Sequence, residues 1–132
     1  MKASEEFSDL LAKSGASLAP LGIRDIGLAR SDALRAVEIL RRGQLPILGG
    51  DVYLRRGDRL EVAYANWYAD PKPEEERETY LHRSWDKAEA YLKSFPQSAD
   101  SEVLFAIVVE KALPRRHTRP SRLRKLQKVY MK

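Results

Sequence analysis

From Glu102 to Glu110 the chain reads EVLFAIVVE, and the seven residues between the glutamates, LFAIVV among them, are apolar without a break. A run of that length between charged residues is strand-sized. A strand apolar on both faces has to be covered on both, which places it in the middle of a sheet. The rest of the chain must supply its neighbours and its cover.

The best candidate for a neighbour is a hairpin. Pro46 to Leu54, PILGGDVYL, is rich in strand formers and is broken only by Gly49-Gly50. Glycine inside a strand marks a bulge or a close backbone approach. Arg55-Arg56-Gly57-Asp58 makes a turn, and Leu60 to Tyr68, LEVAYANWY, returns with Leu60, Val62 and Tyr64 alternating against Glu61, Ala63 and Ala65. The alternation sets Tyr64, Asn66 and Tyr68 on one face and Trp67 on the other with Ala63 and Ala65. Large aromatics dominate core energetics, so Trp67 is assigned to the core.

Three helices are expected around these strands. Residues 4–14 carry Phe7, Leu10 and Leu11 at helical spacing, with Gly15 placed to end them. Gly15 to Arg30 reads as loop, pinned to the core by Ile23, Ile26 and Leu28. Ser31 is a suitable cap for a second helix whose stripe is Leu34, Val37 and Leu40, closed by Arg41, Arg42 and a left-handed Gly43. After the Pro- and Glu-rich segment Asp70–Glu78, Ser84 reads as the cap of a third helix, SWDKAEAYLKSF. Trp85, Ala88, Tyr91, Leu92 and Phe95 share its buried face, and Pro96 ends it. The expected fold is α+β: a small antiparallel sheet of about three strands, the hairpin plus a central C-terminal strand, with helices packed on one face. The last strand is expected beside the first strand of the hairpin.

The charge is unevenly spread. The overall net charge is +5, yet residues 115–132 hold eight Lys and Arg and no Asp or Glu. The first 114 residues hold the other 16 basic and all 19 acidic residues, a net of −3. The expectation is a mildly acidic domain, residues 1–114, followed by a basic tail, residues 115–132. Leu123, Leu126 and Tyr130 in the tail have the spacing of a short helix. Arg- and Lys-rich segments bind phosphate backbones, so a nucleic-acid-binding protein using the tail is the alternative functional class.

Few residues suit catalysis. His82 and His117 are far apart and read as surface histidines. No G-x-S-x-G elbow and no phosphate loop is present. With no cysteine there is neither a disulfide framework nor a thiolate metal site. The sequence therefore points to no enzyme, no metal and no cofactor. No apolar run reaches the roughly 18 residues of a membrane span, and the N-terminus lacks the apolar core of an export signal. Cytoplasmic residence is expected.

The residues that suit binding lie together. Asp51 follows two glycines inside an apolar strand, where a carboxylate needs a partner or a turn to satisfy it. Tyr53, Tyr64, Asn66 and Tyr68 share the hairpin, and tyrosine is enriched at binding hot spots. Asp70, Glu74, Glu75 and Glu76 follow at once, offset only by Lys72 and Arg77 nearby. A solvated loop explains the acidic run most simply; steering of a basic partner is the sharper reading.

From Gly22 to Pro96 the chain resembles a known family. GIRDIGL at 22–28, the Asp32-Ala33-Leu34 helix start, PILGGDVY at 46–53, Asn66-Trp67-Tyr68, and Ala88 with Ala90-Tyr91-Leu92 follow its pattern in order. The family is the one numbered forty among the predicted immunity proteins of bacterial polymorphic toxin systems. The resemblance implies an α+β protein that shields its producer by binding a cognate toxin domain, a protein partner expected to be basic. The tail beyond Pro114 lies outside the resemblance.

Overall fold

The computed structural model describes residues 2–110. The sheet is built around the apolar run: β5, Glu102–Val109, is central, flanked by β2, Ile26–Ala29, and by β3, Ile47–Arg56. Beyond β2 lies the two-residue β1, Ala16–Ser17, and beyond β3 lies β4, Arg59–Tyr68, an edge strand. Every pairing is antiparallel, and Asp51 stands opposite Ala106 on one side and Asn66 on the other. The last strand does lie beside the first strand of the hairpin, as the apolar run required. The expectation of about three strands was low, because five are present. The two extra ones come from the Gly15–Arg30 stretch, read as loop. They are too short to leave a periodic signal, and they form because β5 offers an edge to Leu28 and Ala29.

Three helices cover one face: α1, Ala3–Ser14; α2, Arg30–Arg42; and α3, Arg77–Ser94. Their apolar stripes meet the sheet in one cluster, where Leu28, Val37, Leu40, Ile47, Val52, Trp85, Leu92 and Phe105 are all buried. Trp67 and Ala63 and Ala65 belong to this side, with Trp67 stacked on Tyr91 of α3 at 4.7 Å. Burying side chains of this size stabilises by about 1.5–3 kcal/mol each, so the helical face carries the main hydrophobic stabilisation.

Three local expectations are corrected. Ser31 does not cap α2: the helix starts one residue earlier, Ala29 holds the cap position, and no side chain bonds there. Gly43 is right-handed, with φ −84°, and the left-handed residue is Gln44, with φ 60°. Gly43 is small for a packing reason, since a Cβ there would run into the side chain of Ala3 at the start of α1. Nor does Ser84 cap α3, which begins seven residues earlier at Arg77. Ser84 is fully buried in mid-helix; its hydroxyl donates to Leu81 O at 2.9 Å and accepts from Ile47 N at 3.2 Å. That bond ties α3 to the first residue of β3.

Among the described residues no helix is long and apolar enough to cross a membrane, and no group of three or more His, Cys, Asp or Glu is arranged to hold a metal ion. The basic tail and His117 lie outside the described residues.

Candidate functional site

Among the described residues the other face of the sheet carries no α-helix. A second, smaller core lies there: Leu18, Tyr53, Leu104 and Ala106 are buried, with Ala16, Leu21, Ile23 and Leu60 packed around them. Its cover is the segment after β1, which turns through a short 3-10 helix, Ala19–Leu21, and returns to β2. This cover leaves part of β3 and most of β4 exposed. Of the candidate residues, Asp51, Tyr64, Asn66 and Tyr68 lie in that part.

Two glycines make the geometry possible. Gly50 faces Trp67 across the β3–β4 pair, and a Cβ at Gly50 would stand 2.5 Å from Trp67 Cζ3 and 2.8 Å from Ala106 O. The indole therefore lies flat over a bare backbone on the helical side. The pairing with β5 also shifts between Ile47 and Gly49, which is the bulge the glycine pair led us to expect. One residue on, the alternation of the strand turns Asp51 to the opposite face.

Asp51 is half-buried and faces Asp25 from the covering segment. Burial first, and the Asp25 charge second, push its carboxyl from the ordinary 3.8 up to about 6. The arginines of the hairpin are committed elsewhere: Arg55 pairs with Glu102, and Arg56 with Glu61 and Asp100. Asp25 was not singled out in the sequence. The available signal was a charged pair, Arg24-Asp25, set between Ile23 and Ile26, both of which anchor the segment.

Tyr64 stands on a second irregularity. Between Asn66 and Val62, β4 sets the three residues Ala63–Ala65 against Val52 alone. The surplus is absorbed at Tyr64, whose φ is 57° and whose residue surface is 92% exposed. A bulky side chain in the left-handed region is a genuine outlier, and such strain costs on the order of 1–3 kcal/mol. Among the described residues the exposed large apolar side chains are Val62, Tyr64 and Tyr68, at 38%, 92% and 46%, and all three are on β4. The Lys87 ammonium lies 5.4 Å from the centre of the Tyr68 ring.

The remaining candidates divide. Tyr53 is only 5% exposed and forms part of the second core. Asn66 is half-buried beside Asp51. In the acidic segment Glu74 and Glu76 are exposed, Glu74 with φ 64°. Glu75 is held inside the fold: its carboxylate takes two bonds from Arg83, each 2.8 Å, and one from Lys72 N at 2.9 Å. These bonds hold its carboxyl well below the usual range, at about 2. The same Arg83 donates to Asp70 O at 2.6 Å, and Tyr80 donates to Ala69 O at 2.8 Å. The loop is thus pinned to α3 by Glu75, while Glu74 and Glu76 look outward. The sequence alone could not separate three adjacent glutamates, because their difference lies in Arg83, eight residues on.

The arrangement defines an α+β protein with one face closed by helices and the other presenting tyrosine, carboxylate and carboxamide groups around an edge strand. Residues 17–109 match the protein family described as Immunity protein 40. The chain belongs to that family. No curated protein and no solved structure matched the chain.

Proposed function

We propose that the chain is a bacterial immunity protein that neutralises a cognate toxin domain by binding it one to one in the cytoplasm, with no chemistry of its own. Family membership supports the class. The observation that carries the surface is that the exposed large apolar side chains of the described residues all fall on β4. Exposed tyrosine beside carboxylate is the composition of an interface anchor and its polar rim. The contact surface comprises Asp51, Tyr64, Asn66 and Tyr68, with Asp70, Glu74 and Glu76 at its edge; Tyr53 and Glu75 support it from beneath. The toxin surface it fits is basic, since residues 1–110 carry 15 basic and 19 acidic residues. Residues 1–114 form the binding domain, and the tail has a separate task.

The test is to sequence the genes beside this one and co-express the chain with any toxin-like product found there. Growth should be restored and the two proteins should co-purify. Tyr64→Ala together with Tyr68→Ala should weaken binding by at least 100-fold, about 2.8 kcal/mol at 1.4 kcal/mol per tenfold, while the variant still melts cooperatively. Persistent growth arrest with no co-purification would overturn the reading. Full protection by the double variant would move the contact off β4.

A further inference from the structure

The sheet face that carries Asp51 and Tyr64 has a candidate occupant within the same chain. The basic tail, residues 115–132, together with residues 111–114 that lead into it, contains nine Lys and Arg and no Asp or Glu, against a net −4 for residues 1–110. We infer that this basic tail docks on the face of its own sheet opposite the three α-helices, along the strip of Asp51, Asn66 and Tyr64. The inference goes beyond the toxin reading and does not depend on it.

Position supports it. The tail continues from β5, the central strand, and Asp51 stands opposite Ala106. Glu110 is four positions beyond Ala106, so the strip lies about 13 Å back along the sheet at 3.3 Å per residue. The tail and the residues that lead into it, 22 together, reach roughly 70 Å when extended. Intramolecular attachment of that kind supplies an effective concentration on the order of millimolar. A weak site is then occupied without any partner.

Chemistry supports it as well. Guanidinium groups pair with carboxylates and stack on aromatic rings, and the strip offers both in Asp51 and Tyr64. The tail also brings Leu123, Leu126 and Tyr130, which suit the apolar flanks given by Val62 and Tyr68. A cation beside Asp51 relieves the burial and the Asp25 charge that otherwise disfavour its ionised form. The opposite face has no such opening, because three helices cover it. Two other seats compete. One is the groove of about 720 Å³ lined by Phe7, Leu11, Leu40, Leu45 and Val109, which is apolar and lacks carboxylates apart from Glu110 at its rim. The other is the acidic loop, where Glu75 is already bonded and Glu74 and Glu76 are exposed and screened.

The full chain has no cysteine, so Ser121→Cys gives a single attachment point for a nitroxide spin label. Amide spectra are recorded on the labelled full chain in 20 mM and 500 mM salt. The amide signals of Asp51, Tyr64 and Asn66 should lose at least half their intensity in dilute buffer and recover in concentrated salt. Asp51→Asn with Asp25→Asn in the same chain should abolish the loss. Broadening centred on Phe7, Leu11 and Leu40 would place the tail in the apolar groove, and broadening centred on residues 72–76 would place it on the acidic loop; either overturns the inference, as does no broadening. Mixing labelled chains with unlabelled, isotope-enriched ones completes the test. Broadening transferred to the second chain means docking between copies and also overturns it.

Discussion

Gly50→Ala is the substitution on which the geometry of the hairpin turns most sharply. The added methyl would lie 2.5 Å from Trp67 Cζ3, closer still to its Cη2, and 2.8 Å from Ala106 O. Two of these atoms belong to a ring that is itself stacked on Tyr91 at 4.7 Å, and the third is backbone of the central strand. The indole cannot slide away without opening its contact with α3. Overpacking of this kind costs typically 1–3 kcal/mol and occasionally more, and about 3 kcal/mol is expected here. On a total stability of roughly 5–15 kcal/mol that is a large fraction. The assay is urea unfolding followed by the fluorescence of Trp67 and Trp85, both buried. The slope with denaturant should be unchanged and the midpoint lowered. A double-mutant cycle identifies the cause. In Trp67→Phe the outer ring atoms that the methyl would strike are gone. The single variant loses stability by leaving a cavity, but adding Gly50→Ala to it should cost under about 1 kcal/mol, giving a coupling of at least 2 kcal/mol. If Gly50→Ala changes stability by less than about 0.5 kcal/mol, the range of an ordinary surface substitution, or costs the same in both backgrounds, the indole does not lie over Gly50.

Three further outcomes are expected. The raised carboxyl of Asp51, at about 6 against 3.8, means the folded state holds this proton more tightly than the unfolded one. Its contribution therefore falls as pH rises from about 4 to 6 and is flat above; the full gap would be about 3 kcal/mol, discounted to about 1–2 for a half-exposed group. Asp51→Asn in 0.5 M salt should be more stable than wild type by that amount at pH 7 and equal to it at pH 3.5, by urea titration; equal stability at both pH values would refute the assignment. Glu75→Gln should lower the melting temperature, and wild type should lose the Glu75 contribution as pH drops from 4.5 toward 2; Glu74→Gln with Glu76→Gln should leave melting unchanged and slow toxin association in dilute buffer only, whereas equal melting of Glu75→Gln and wild type would remove the brace. Tyr64→Gly should release left-handed strain and stabilise by up to about 1 kcal/mol while weakening toxin binding at least tenfold, and a loss of more than about 1 kcal/mol would mean the ring is packed rather than presented.

The parts of the fold legible in sequence were those whose signal is local and periodic. The LFAIVV run announced a central strand, and the alternation around Trp67 told its buried face from the face of Tyr64. The stripe Val37–Leu40 and the break at Gly49-Gly50 were likewise visible. What escaped depends on partners distant in the chain. β1 and β2 exist because β5 leaves an edge open, and nothing in Gly15–Arg30 alone says so. The first two turns of α3 were hidden because RETYLHR is polar apart from Tyr80 and Leu81, and Ser84 looked like a cap when its buried hydroxyl was reserved for Ile47 N. Of the candidate site, the hairpin aromatics and Asp51 are adjacent in sequence and so could be proposed together, whereas Asp25 lies 26 positions away and meets Asp51 only once the covering segment folds over the sheet.

The hairpin separates two duties that its sequence runs together. Gly49, Gly50 and Trp67 are packed together: a Cβ at Gly49 would strike the backbone of Trp67 and Tyr68, and a Cβ at Gly50 the Trp67 ring, so neither glycine can take a side chain without moving β4 or the indole. These residues set the fold of the hairpin and, through strand alternation, aim Asp51 at the opposite face. The side chains of Val62, Tyr64 and Tyr68 are less tightly held, since they are the exposed large apolar side chains of the described residues and lie on an edge strand. They can be exchanged at small cost to stability. A binding protein that must match one partner and reject others needs its discriminating contacts at positions of that second kind, where affinity changes without penalty to folding. On the toxin-binding reading proposed above, GGD and Trp67 would serve as the scaffold and the β4 side chains as the positions that set partner preference. Exchanging residues 62, 64 and 68 between two members of the family, with the glycine pair and Trp67 untouched, should exchange partner preference while leaving both melting temperatures in place.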